Sequence, residues 1–536
     1  MTNNNTRQNT NKNDELPPGL GWMLLGLLGM TAIAWAIPTL AGLLNTGRRP
    51  PLGAPEALIA GLRLLGDGHF SDPASAYPRA ARAVLPGPLL WWLSAAVVLL
   101  TVGAIAAVVL RRIEPEVART RLGRRAFEWR GAHPRRWGRH RDLRHGRSEA
   151  RGFSLGRLDG RPIYADTESN VAVVAPTRAG KTTRLVIPWL LEHDGPAIVT
   201  STDRDVIEAT HAARAQLGTV WIFDPFSPDT MSWSPLDGCN TWTGALRRAQ
   251  WLAGASGDGD SEIARYWRGE AAKLLAPLLH AAALAGKDMK NVLDWVDVQE
   301  TRAIITILDT AKATAARNQL RAISELDPRN RGTTYMSTGS VLEAYRYPEV
   351  QDMDGARFTP KKFLKSRADT LFLVADPRHQ QLAAPLFVAL LSAVINEAIE
   401  TRAFRGTDRA LKLLLDEAAN VAPLPDLPQM ISQILKHNII AATFWQDLAQ
   451  LHTRYGRSAD TILGNSTVKL FMGPITDDAT RRYVLGLLDE RDSKHERLDA
   501  SAVRQLDRDR ALLVAGARLP ALLTLRPYWA SRGHQS

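Results

Sequence analysis

Hydrophobic and polar positions follow three different rhythms along this chain, and each rhythm predicts a different kind of element. Near the N-terminus, residues 20–44 and 84–110 form runs of 25 and 27 residues without a charged side chain. At about 1.5 Å per helical residue, either run exceeds the roughly 30 Å hydrocarbon core of a bilayer, so both read as membrane-crossing helices. The first follows Asp14 and Glu15 rather than a basic stretch, and it is too long for the apolar part of a cleaved leader. Further along, short β-branched or leucine-rich runs that stop at a turn residue read as buried strands: "VAVV" from Val171, "VWIFDP", "LFLVADP", "LKLLLDEAAN" and "NIIAATFWQDL". "STVKLFMGP" and "RALLVAGARLPALLTLRPYW" predict more of them, which together make an α/β sheet flanked by helices. Across residues 241–363 the rhythm turns helical. There Ser261 caps a run that places Ile263, Trp267, Leu274, Leu275 and Leu278 on one face, expected to be core.

With 536 residues, 45% hydrophobic and 23% charged, the chain has ordinary globular composition and the length for two or three folded units. The single cysteine, Cys239, excludes a disulfide framework and a Cys-based zinc site, and is expected to be a small buried side chain. Formal charge is +12, but residues 111–151 hold fourteen arginines against five acids, so most of the excess is local. The loop 45–83 carries only five basic residues. By the positive-inside rule the loop lies outside the cell, and the N-terminus and the long C-terminal part lie in the cytoplasm. Topology and anionic lipid account for this basic collar, and nucleic-acid contact is an additional reading.

The expected organisation follows. Residues 1–19 are a disordered cytoplasmic tail; residues 20–110 are a two-pass membrane region; residues 111–150 are a basic linker. Residues 151–240 and 364–536 form one nucleotide-binding domain, into which an all-α domain, residues 241–363, is inserted.

Candidate chemistry begins at "VAVVAPTRAGKTTRL", a strand, a turn and a helix start, the order a phosphate-binding loop requires. The loop comprises Ala175, Pro176, Thr177, Arg178, Ala179, Gly180, Lys181, Thr182 and Thr183. Backbone N–H groups around Ala179 to Thr183 would wrap the β-phosphate, Lys181 would reach the β- and γ-phosphates of ATP, and the Thr182 hydroxyl would ligate Mg²⁺. Alanine replaces the usual first glycine at 175, which costs little provided its φ is negative.

Such a site also needs an acid at the end of a neighbouring strand. Three apolar runs end in aspartate, at Asp224, Asp376 and Asp416, but only Asp416 is followed by a second carboxylate. Asp416 is therefore expected at the metal and Glu417 as general base, with Asp224 and Asp376 as turn or cap residues. Gln446 falls just past a buried strand, where RecA-like motors place a γ-phosphate sensor.

These residues resemble the conjugative coupling proteins of type IV secretion systems, the TraG/TraD group. The matching stretches are "APTRAGKTT", "VTSTDRDV", "VWIFDPF", "YWRGEAAKLL", "LLLDEAAN", "FWQDLAQL" and "LRPYW". The resemblance implies a RecA-like P-loop ATPase with an inserted all-α domain behind two transmembrane helices, in the cell membrane. It implies a hexamer that recruits relaxase-bound DNA, and protein in some cases, to a secretion channel. An arginine from the next subunit completes such sites, with Arg454, Arg457, Arg481 and Arg482 as candidates. An FtsK-like double-stranded DNA pump and a docking module that binds ATP without turnover are the competing readings.

Overall fold

The computed structural model describes residues 20–66, 70–117, 152–256, 261–366, 368–407, 409–489 and 503–530. The tail, residues 1–19, and the linker from residue 118 onward lie outside the described residues. The chain divides into two compact units, residues 1–132 and 133–536.

In the first unit, helix Leu20–Thr46 covers the first uncharged run, helix Pro88–Val117 covers the second from residue 88 onward, and the two pack on one another. Helix Ala54–Gly66 lies between them in sequence and packs on the first. The buried contacts are mostly small residues, Ala41, Ala60, Ala81 and Ala95, joined by Trp91. Leu89, Leu93, Leu99 and Leu100 are more than half exposed.

The second unit is built on one mixed sheet of eleven strands. In chain order these are β1 (Ser154–Leu158), β2 (Arg161–Tyr164), β3 (Val171–Val174), β4 (Ala197–Ser201), β5 (Val220–Phe223) and β6 (Thr370–Val374). They continue with β7 (Leu411–Leu415), β8 (Ile439–Trp445), β9 (Val468–Met472), β10 (Arg510–Ala515) and β11 (Ala521–Thr524). The spatial order is β2-β1-β11-β10-β9-β3-β8-β7-β4-β6-β5. From β9 to β5 all pairs are parallel, and the β2-β1-β11-β10 wing is antiparallel. Parallel strands are covered on both faces, which explains why β3, β4, β6, β7 and β8 are buried at every position and, Lys412 of β7 apart, carry no charged residue. Trp189 packs between Phe153 and Phe444 inside this core, its ring tilted against both.

Among the described residues, one helix is long and apolar enough to cross a membrane by length and composition, Gln380–Thr401, and it is mostly buried. It follows β6 and packs against helix Trp242–Ala255. Between β5 and β6 the described residues form helices from Trp242 to Lys365, and an isolated parallel bridge outside the sheet pairs Ser232 with Arg357. Thr241 and Ser261 cap two of these helices through their side chains, accepting from Gly244 N and Ala264 N. The stripe expected on helix Glu262–Leu284 is correct only in part. Leu274, Leu275 and Leu278 are fully buried, but Ile263 is 72% exposed and Trp267 is half-buried, because burial on this helix begins at Ala271. Cys239 is buried, its thiol directed at the Pro235 carbonyl.

Two buried cations hold the N-terminal ends of the parallel strands. Arg214 donates to the carbonyls of His193, Gly195 and Ala368 and to the Thr370 hydroxyl. Lys412 of β7 donates to the Gly152 carbonyl at 2.9 Å and lies over the Phe153 ring. Burial pushes the Lys412 ammonium down to about 8, so the folded chain releases this proton well before the unfolded chain does. Between pH 8 and about 10 the unfolded state therefore binds more protons, and this group makes stability rise with pH. Lys412→Met is expected to flatten that rise, whose limit is about 3 kcal/mol. Denaturant unfolding of residues 152–536 at pH 7.5 and 9.5 checks it; an unchanged slope in the variant refutes the assignment.

Candidate active site

Three neighbouring parallel strands deliver the candidate residues to one edge of the sheet. β3 lies next to β8, and β8 next to β7, so their C-terminal ends bring together the Ala175 loop, Gln446 and the Asp416–Glu417 pair. The Ala175 N–H donates to the Trp445 carbonyl at 2.9 Å, extending the β3–β8 ladder by one step. Ala175 is fully buried and has no positive φ, so the missing glycine imposes no backbone strain. Positive φ is instead carried by Arg178 and Gly180, at 63° and 83°, which turn the loop back toward the helix. Gly473 after β9 closes against it with a φ of 66°, a conformation that favours glycine, and a Cβ there would lie 3.1 Å from that of Ala179.

A π turn, Thr182–Val186, follows Lys181 and runs into helix Ile187–Leu191. Pro188 cannot donate a backbone hydrogen bond, and the widened turn precedes it. Within the loop, the Ala179 N–H bonds to the Pro176 carbonyl at 3.2 Å and the Arg184 N–H to the Gly180 carbonyl at 3.0 Å.

Lys181, Asp416, Glu417, Thr182 and Gln446 form one connected cluster. The Lys181 ammonium contacts Glu417 Oε1 and lies 3.4 Å from Asp416 Oδ1. Thr182 Oγ1 donates to Asp416 Oδ2 at 3.3 Å, and Gln446 Nε2 donates to Glu417 Oε2 at 3.0 Å. Both acids are buried, at 4% and 9% exposure, which excludes two solvated acids at a helix start. Glu417 holds a φ of 52°, a strained value for a side-chain-bearing residue, and this turns its carboxylate toward Lys181. Burial pushes the Asp416 carboxyl above its usual range, with Lys181 pulling it partly back. For Lys181 burial works against the charge, but Asp416 and Glu417 outweigh it and raise the ammonium pKa.

The donor set suits a magnesium nucleotide. A hydroxyl and a carboxylate meet at Thr182 and Asp416, a hard oxygen pair, beside a lysine and a loop of backbone amides. One residue in this cluster is not evident from sequence. Thr200 at the end of β4 donates to the Asp416 carbonyl at 2.7 Å, fixing the turn, and a lone threonine on a strand carries no signal of that role.

The remaining aspartates sit apart from the cluster, at the ends of β5 and β6. Asp376 accepts from the Arg378 backbone and guanidinium in a tight turn, and Asp224 forms a turn with Ser227 and lies 4.0 Å from Arg204. Of the candidate arginines, Arg454 donates to the carbonyls of Gly254 and Pro423 in its own chain. Arg481 pairs with Asp478 at 2.7 Å, Arg482 Nε donates to the Asp478 carbonyl, and Arg457 is exposed.

Residues 140–488 match the model of the family described as type IV secretory system conjugative DNA transfer. The chain belongs to this family. Its similarity to the Protein VirD4 of Rhizobium rhizogenes is 24% identity over 387 residues, 65% of this chain and 53% of that protein. The Protein VirD4 of Agrobacterium fabrum gives the same identity and coverage. The chain thus spans about half the length of the curated relatives it matches. Among solved structures, this family member shares its fold with the plasmid coupling protein TrwB in complex with ADP and Mg²⁺. The TM-score is 0.58 at 18% identity, covering 73% of this chain and 93% of TrwB. The unbound TrwB form gives a TM-score of 0.57 at 18% identity, over 72% of this chain and 90% of that one. The mixed α/β sheet is therefore one that the family member holds in common with TrwB.

Proposed function

We propose that this chain is a membrane-anchored, ATP-driven coupling protein that recruits relaxase-bound DNA to a type IV secretion channel and powers its conjugative transfer. The observation that carries the ATPase part is the cluster of Lys181, Thr182, Asp416, Glu417 and Gln446 at the ends of three adjacent strands, within a family of conjugative DNA transfer proteins.

In this reading Lys181 and the loop amides hold the triphosphate. Thr182 and Asp416 hold Mg²⁺, which when bound neutralises charge on the phosphates. Glu417 accepts a proton from the water whose oxygen attacks the γ-phosphorus, and ADP leaves with the electron pair of the broken P–O bond. Gln446, bonded to Glu417, orients that carboxylate and reports its state along the helix that follows.

The two N-terminal helices are proposed to cross the membrane, since their exposed leucines and the uncharged runs 20–44 and 84–110 suit lipid. The arginine-rich stretch then places the sheet unit in the cytoplasm. The helices between β5 and β6 are proposed to form a separate all-α domain, and the working assembly a homo-hexamer completed by an arginine in trans. ATP hydrolysis by the full chain in lipid nanodiscs, with and without single- and double-stranded DNA, tests the proposal. Stimulation by DNA supports it, and hydrolysis-free ATP binding under every condition overturns it in favour of a docking role.

A further inference from the structure

Two hydrogen bonds fix the backbone of the segment that carries Gln446. Asp447, the next residue, caps helix Leu448–Tyr455 by accepting from the Gln450 N–H at 2.7 Å. Gln450 in turn accepts from the Gln446 N–H at 3.2 Å, so the first bond comes from the helix itself. The second comes from outside it. Leu448, the first helical residue, has an N–H that no carbonyl within the helix can reach, and in a buried residue that donor needs a partner from elsewhere. Thr480 supplies it: its hydroxyl accepts from the Leu448 N–H at 2.9 Å, and both residues are at most 1% exposed.

Thr480 belongs to a different part of the sheet unit. It lies in the first turn of helix Asp478–Asp489, which follows β9, and its own N–H donates to Asp477 Oδ1 at 2.8 Å. β9 and β8 flank β3 on opposite sides. The segments after β8 and β9 therefore stand either side of the phosphate loop, and the Thr480–Leu448 bond joins them. The β9 segment also meets the loop at Gly473, next to Ala179. Pro176, Thr177, Gln446, Asp447, Asp477 and Thr480 border one recess of about 150 Å³, so the bond sits beside the candidate site rather than at a remote point of the fold.

We propose that Thr480 is a positioning residue for Gln446, fixing the start of its helix so that the side-chain amide stays on the Glu417 carboxylate. The proposal deepens the ATPase reading and rests on it for the roles of Glu417 and Gln446. Gln446 Nε2 reaches Glu417 Oε2 at 3.0 Å, and Gln446 is only two residues from the amide that Thr480 holds. A shift at Leu448 is carried to Gln446 through two peptide units, and a displacement of about 1 Å in a reacting geometry is enough to cost about 10²-fold in rate. Valine at 480 keeps the shape of the side chain and removes the acceptor. The buried Leu448 donor is then left unpaired, a cost the helix start relieves only by moving.

The test is steady-state ATP hydrolysis by the full-length chain in nanodiscs, beside binding of a labelled ATP analogue. The variants are Thr480→Val, Thr480→Ser, Gln446→Ala and the double variant Thr480→Val/Gln446→Ala. Thr480→Val is expected to lower kcat about tenfold, with KM and analogue affinity within about twofold of the wild type. Thr480→Ser keeps the hydroxyl and should recover most of the rate. Because Thr480 acts through Gln446, adding Thr480→Val to Gln446→Ala should cost less than about twofold more. Loss of analogue binding in Thr480→Val would make the residue a structural element and overturn the proposal. So would an undiminished rate in that variant, or a further loss of about tenfold in the double variant. In each of these cases a slow Gln446→Ala leaves the reading of the site intact. A Gln446→Ala chain as fast as the wild type, or a wild type without turnover, overturns that reading and the proposal with it.

Discussion

Glu417→Gln is expected to lower ATP turnover by about 10²- to 10⁴-fold while nucleotide binding persists, the range that loss of a general base produces. The amide keeps the size of the side chain and can still meet Gln446, so the shape of the site is retained and only proton acceptance is lost. Lys181 then keeps Asp416 as its carboxylate partner at 3.4 Å, which argues against collapse of the loop. Phosphate release measured beside binding of a labelled ATP analogue checks this. Turnover within tenfold of the wild type would remove Glu417 from the role of base. Lys181→Ala supplies the contrast, because it removes the group expected to hold the β- and γ-phosphates, and so lowers nucleotide affinity as well as rate.

The second large effect is structural. Arg214→Leu is expected to destabilise the sheet unit by about 3–5 kcal/mol, the cost of breaking a buried charged network from one side. The Arg214 side chain is 1% exposed and reaches the carbonyls of His193, Gly195 and Ala368 and the hydroxyl of Thr370. Four acceptors would be left dry, each costing about 1–3 kcal/mol. Burial already pulls the guanidinium pKa down to about 10, so removing a strained cation returns part of that sum. Total stabilities are about 5–15 kcal/mol, so a loss of this size shifts denaturant midpoints visibly. Arg214→Lys keeps the charge without the planar fork and should fall between wild type and leucine. A leucine variant that unfolds at the wild-type midpoint would show that these bonds add no net stability.

Much of this architecture was legible from residue pattern, because its information is local. A buried parallel strand is mostly apolar on both faces, so β3 and β8 stood out as uncharged runs and β7 as a leucine run with Lys412 as its one charged position. A phosphate loop needs a lysine and a hydroxyl at consecutive positions, which "GKTT" supplies. The strand-ending pair Asp416–Glu417 was distinguishable from Asp224 and Asp376 because only it offers two carboxylates in succession. The cap at Ser261 was equally local.

What failed was the extent of the face on which one element meets another. Ile263 belonged to the predicted core stripe of helix Glu262–Leu284, yet that helix runs two turns beyond the residues that cover it. Amphipathic spacing states that a face could be buried, and only the neighbours decide whether it is.

The sequence by itself indicated β3 and β5 to β9, the loop from Ala175 to Thr183, the paired acids and two helices built on uncharged runs, all set by side-chain chemistry over a few consecutive residues. Tertiary structure alone decided the strand order that brings β3, β8 and β7 side by side, the Thr200 brace behind Asp416 and the φ of Glu417. Those depend on contacts across the sheet, where packing and the satisfaction of buried polar groups choose among arrangements that local pattern leaves equally open.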